Sequence, residues 1–225
     1  MDALNVTLSL DKLRAIHESD TVFSPAAEPY MWAVFFKLDA DTVTTGKPSI
    51  LTTQGNRKDL GDLEMSDGAV VSIPPRLGRF TTVLKPLPLP TIADQSRIGV
   101  VAVVLEQDDT ADHAIAKGHA AFNLAMREVL DGFVKTAEQG KPPTDKDIAK
   151  AKDQVKAKVI AAIKNDLSGF ELLANQDDVI GIAVQIFTLG QIQKAAANQL
   201  PISVQLKEDG VWQLIGHVKG TAHHA

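Results

Sequence analysis

The run RIGVVAVVLE, Arg97 to Glu106, constrains this chain more than any other stretch, because the sequence changes period just beyond it. A continuous β-branched apolar run of this length reads as a central strand. After Asp108, however, Ile115, Phe122, Met126, Val129, Leu130 and Phe133 recur at three- and four-residue spacing, with His119 in the same stripe. That spacing predicts an amphipathic helix from Ala111 to about Ala137, ended by EQGKPP. Thr144 is placed to cap a second helix, with Asp145 and Asp147 in its first turn. Its apolar stripe is Ile148, Ala151, Val155, Val159, Ala162 and Ile163, and its other face carries Lys146, Lys150, Lys152, Lys156, Lys158 and Lys164. Ser168-Gly169 closes the pair.

Strand patterns lie on both sides of this helical segment. Leu4, Val6, Leu8 and Leu10 alternate with polar residues, Met31 to Leu38 is a second strand, and Ala69 to Ile73 and Phe80 to Leu84 are shorter ones. Between them, the Thr-rich segment after Asp39 and Asp41 and the stretch GNRKDLGDLEMSDG read as connecting chain. KPLPLPTI has too much proline for a central strand and is an edge or a connector. Downstream, Val179 to Thr188 and Ile202 to Leu206 are strands, Gln191 to Asn198 is a short helix, and GVWQLIGHVKG completes a hairpin across Glu208-Asp209-Gly210. Strands before and after a helical pair predict a mainly β fold: one antiparallel β-sandwich domain over residues 1–225, interrupted by an inserted antiparallel helical hairpin over 109–168.

Composition narrows the function classes. With 225 residues and 44% hydrophobic content the chain can bury a large core, and a formal net charge of −5 opposes general nucleic-acid binding. The absence of Cys removes disulfides, thiolate nucleophiles and Cys-ligated zinc. No run approaches the roughly 18 apolar residues of a membrane span, so the expectation is a protein without a transmembrane segment, cytoplasmic or peripheral to a membrane. None of GxSxG, a phosphate loop or HExxH occurs, and His113 and His119 are six apart rather than on one helical face, so no enzyme is expected.

Three acidic groups fall at strand ends: Glu18, Asp20 and Glu28; Glu106, Asp108 and Asp109; Asp177 and Asp178. Carboxylates gathered from separate loops are the hard oxygen donors that calcium takes in flexible geometry; spread apart, they are solvated loop charges. In order, the acidic loop, Glu28-Pro29-Tyr30, VVLEQDD and Asp178-Val179-Ile180-Gly181 resemble the calcium loops of the C2 domain family. That resemblance implies a C2-like β-sandwich whose hairpin projects from a calcium-type loop. It implies Asp20 and Glu28 as first-loop ligands of Ca2+, and Glu106, Asp108 and Asp178 as second-loop ligands. Two of these five are Glu where the family has Asp.

The same resemblance implies a non-enzymatic module docking, in response to calcium, on an anionic phospholipid surface or a protein partner. Val22 and Phe23 are then an apolar loop tip entering the interface, or else they fold back onto the sandwich. Arg76 and Arg79, with Lys85, form a basic patch for headgroups or a solvated face. The alternative function is calcium-independent: a protein-interaction or assembly role for the helical hairpin, with the lysine-rich face of its second helix toward solvent or a partner.

Overall fold

The computed structural model describes residues 2–17, 27–55, 59–60, 64–107, 112–165, 179–195, 197 and 199–223. The alternation that begins at Leu4 builds β1, which runs through Leu4–His17 and is longer than its sequence pattern. The reason is an irregularity in its ladder between Leu10 and Lys12. Before it the buried apolar residues are even-numbered, Leu4, Val6, Leu8 and Leu10; after it they are Leu13 and Ala15. One extra residue swaps the faces and breaks the period on which the reading depended.

Next come β2 (Pro29–Leu38), α1 (Ala40–Thr45), β3 (Ser49–Gln54), β4 (Val70–Ser72), α2 (Pro75–Gly78), β5 (Arg79–Leu84) and a 3-10 turn at Pro90–Gln95. β6 (Arg97–Glu106) leads into α3 (Asp112–Glu138) and α4 (Asp145–Asn165). The chain ends with β7 (Val179–Thr188), α5 (Leu189–Lys194), β8 (Gln199–Leu206) and β9 (Val211–Ala222). The strands form two antiparallel sheets. Sheet 1 has the order β4-β1-β9-β8, with β5 also paired to β1, and sheet 2 has the order β3-β2-β6-β7.

The inner faces meet in one core. Leu8, Leu13, Trp212 and Leu214 of sheet 1 pack against Met31, Phe35, Val100 and Val104 of sheet 2. Where β9 crosses the irregularity in β1, the backbones approach so closely that a Cβ on Gly216 would lie 2.0 Å from the Ser9 carbonyl oxygen. Only glycine fits that crossing.

Sheet 2 has a second buried face. Every residue of β2 and β6 is buried, because Tyr30, Trp32, Phe36, Val101 and Val103 pack beneath Phe122, Met126 and Leu130 of α3 and Val155 of α4. Here the fold departs from the expectation that the hairpin projects from the loop end of the sandwich. It lies back along sheet 2 and makes a third layer, since both it and the outer sheet face are apolar and each removes the other from water. Tyr30 and Trp32 share one face, as their alternation requires, but that face looks toward α3 rather than into the sandwich.

The end of sheet 2 where β2 meets α1 carries a buried ionic network. Asp39 has no exposed surface; its Oδ1 accepts from the Asp41 and Thr42 amides at 3.1 and 3.3 Å and so caps α1. Its Oδ2 accepts from Lys37 Nζ at 2.7 Å and from the Lys85 amide at 3.1 Å. The Lys37 ammonium also donates to the Val83 carbonyl at 3.0 Å. Asp41, outside this buried centre, holds Lys85 Nζ at 2.9 Å, which lowers the Asp41 pKa and raises that of Lys85.

Candidate functional site

Strand register gathers the acid-bearing connections at the opposite end of the sandwich. Pro29 pairs with Glu106, and the Gln107 amide donates to the Glu28 carbonyl at 3.0 Å. Leu105 pairs with Val179, the residue that follows Asp178 in the chain. His17, the last residue of β1, pairs with Val211, so the turn carrying Glu208 and Asp209 lies at this end too. The Glu208 amide donates to the Ile180 carbonyl at 3.2 Å and ties that turn to the start of β7. A bridge between Ala27 and Met65 adds the segment bearing Glu64 and Asp67. Asp112 opens α3 in the same neighbourhood. Among the described residues this end of the molecule gathers Glu28, Glu64, Asp67, Glu106, Asp112, Glu208 and Asp209, an acidic pole, with His17 beside Asp67.

Of the five expected ligands, Glu28 and Glu106 are described; Asp20, Asp108 and Asp178 lie outside the described residues, as do Val22 and Phe23. Glu28 and Glu106 are neighbours in register, yet alternation sets their side chains on different faces. Glu106 is buried and continues the face of Val100, Ala102 and Val104, toward the sandwich interior. Glu28, half-buried, continues the face of Tyr30 and Trp32. Among the described residues no group of three or more His, Asp or Glu side chains is placed to hold a metal ion.

Of the basic residues expected near PPRLGRF, Lys85 stands apart from the two arginines. The Arg76 guanidinium pairs with the Asp59 carboxylate. Arg79 opens β5 and Lys85 follows its last residue, about 20 Å away along the strand, where Asp41 holds it.

A polar cluster in the layer between sheet 2 and α3 has no motif in the sequence. The His119 ring meets Trp32 edge-on at a centroid separation of 5.2 Å, and Phe122 stacks on the same indole at 6.4 Å. Asn123 Nδ2 lies 3.3 Å from His119 Nε2, one helical turn away. Trp32 Nε1 and Asn123 Oδ1 are buried with no hydrogen-bond partner among the described residues. Burial pushes the His119 pKa down, against a weaker upward pull from a hydrogen bond to the Thr53 backbone.

That shift has a direction in pH. A histidine whose basicity is depressed by folding binds its proton more readily in the unfolded chain. The stability that neutral His119 contributes is whole above its ordinary pKa of about 6.5 and falls as pH drops through that value toward the lower folded-state pKa. Thermal melts at pH 7.5 and 5.5 are expected to show a larger drop for the wild type than for His119→Gln. Equal drops would mean that the imidazole has no part in the acid sensitivity.

No family model matches the sequence, and no curated protein matches it. Among solved structures the chain is similar to human GIVD cytosolic phospholipase A2, free and in complex with methyl gamma-linolenyl fluorophosphonate, at 8% identity and TM-scores of 0.37 and 0.36. The superpositions cover 99% of this chain, which spans 17% of the length of those structures. A likeness this loose decides nothing about the site. No helix among the described residues is long and apolar enough to cross a membrane.

Proposed function

We propose that this chain is a non-enzymatic docking module whose acidic pole takes up calcium and, through it, an anionic phospholipid surface or a protein partner. The observation that supports this reading is the convergence in register of the β1–β2, β6–α3 and α4–β7 connections at one end of the sandwich. Each brings carboxylates, and a divalent cation relieves the repulsion among them. Glu28 stands at the junction of the first two, held through its carbonyl by Gln107. Glu28 is the ligand on which this reading most depends.

Calcium bound only by the folded state must raise the melting temperature, by about 2.7 kcal/mol of stability at a hundredfold excess over Kd. Calorimetric titration with calcium is expected to give heat, and melts to shift between millimolar calcium and chelator; Glu28→Gln is expected to weaken both. No heat and superimposable melts would remove the reading. A second reading, calcium-independent binding through the hairpin, draws on the exposed Lys146, Lys150, Lys152 and Lys158 of α4. Partner or vesicle binding that persists unchanged in chelator would favour it.

A further inference from the structure

A groove among the described residues lies away from the acidic pole. It has a volume of about 610 Å³ and runs between the C-terminal half of α3 and the link from α1 to β3. Its walls are Lys47, Arg127 and Lys135, with one carboxylate, Asp131, and an apolar floor of Pro48 and Ile50. Glu138 stands at one margin, where its Oε1 would lie 3.3 Å from a Cβ on Gly46. The size is that of a small-molecule site.

Arg127, Asp131 and Lys135 follow one another at four-residue spacing, the arrangement in which a helix normally closes ion pairs along its own surface. Here neither pair closes within 4 Å, and Lys47 likewise makes no ion pair among the described residues. Three cations thus face one concavity in a chain whose net charge is −5. Arginine presents a planar fork of donors that matches phosphate oxygens, and the two lysines add point charges from either wall.

We infer that this groove is a second binding site, for a phosphate-bearing ligand, with Arg127 as the fork and Lys47 and Lys135 as flanking charges. The ligand is a soluble phosphate compound or the headgroup of a phosphorylated lipid. This assignment is independent of the calcium reading, and its test runs in chelator so that the two stand or fall separately.

The test titrates the full chain with inorganic pyrophosphate at low salt by calorimetry. In parallel, the chain is sedimented with phosphatidylcholine vesicles with and without a phosphatidylinositol phosphate. Arg127→Gln with Lys135→Gln removes two exposed charges and leaves the melting temperature unchanged, and Lys219→Gln on β9 is the surface control. Saturable pyrophosphate binding, weakened about tenfold or more in the double variant and unaffected in the control, supports a soluble ligand. Sedimentation that needs the phosphorylated lipid and is lost in the double variant supports a headgroup. Binding absent in both assays, or weakened as much by Lys219→Gln, overturns the proposal.

Discussion

Asp39→Ala is expected to destabilise the protein by about 3–5 kcal/mol, seen as a lower midpoint in urea and a melting temperature reduced by roughly 6–20 °C. The substitution removes the carboxylate at the centre of the buried network and leaves Lys37, whose side chain is 9% exposed, charged and without its closest counter-ion. It also uncaps α1 and frees the Lys85 amide. Asp41, half exposed, is the contrast: Asp41→Asn is expected to cost less than about 1 kcal/mol, because water already screens its pairs. Adding Lys37→Met to Asp39→Ala removes the stranded charge and should recover part of the loss. A cost for Asp39→Ala as small as that of Asp41→Asn would show that the network is not buried in solution.

The second large effect concerns the hairpin. Phe122 has no exposed surface and stacks on Trp32, so Phe122→Ala is expected to cost about 3–5 kcal/mol through lost transfer energy and the cavity left behind. Leu124, two residues on but 59% exposed, should tolerate alanine within about 0.5 kcal/mol. Because sheet 2 shares its outer core with α3, the loss is expected in a single unfolding transition. Amide exchange that speeds up in α3 and α4 while β2 and β6 keep their protection would instead make the hairpin a separately unfolding layer.

The readable parts of the fold were those with a strong period. β6 and β7 occupy Arg97–Glu106 and Val179–Thr188, the ranges their apolar runs delimit, and α3 lies within a residue of the expected range Ala111 to Ala137. Thr144 does sit at the start of α4, where its Oγ1 accepts from the Asp147 amide at 3.3 Å. The sequence did not disclose β3, whose residues Ser49–Gln54 are only intermittently buried at a sheet edge and carry no clear alternation. α1 shows no helical stripe, because six residues are too few for one, although Asp39 and Thr42 stand at the spacing of a capping box. The direction of the hairpin was also beyond reach. A stripe shows that a helix has an apolar face without showing which surface it meets.

For the acidic pole, the meeting of the strand ends was legible and the orientation of Glu28 and Glu106 was not. Clusters at strand ends must meet when the strands pair, but whether Glu28 and Glu106 face each other depends on the parity of two registers. The cationic groove left no linear trace, because Lys47 and Arg127 are eighty residues apart in the chain.

The pairing of β1 with β9 has a consequence in time. Leu4 lies opposite Ala222, so the strand at the centre of sheet 1 finds its longest ladder at the far end of the sequence. β2, β3 and β6 can zip together from nearer neighbours, while β1 has only the short strands β4 and β5 until residues 211–222 arrive. Contacts of such long separation form late, after most of the loop-closure entropy has been met. During synthesis β1 therefore spends the longest interval with an open hydrogen-bonding edge, and Lys12 and Arg14, charged and exposed along it, keep that edge from recruiting a second chain.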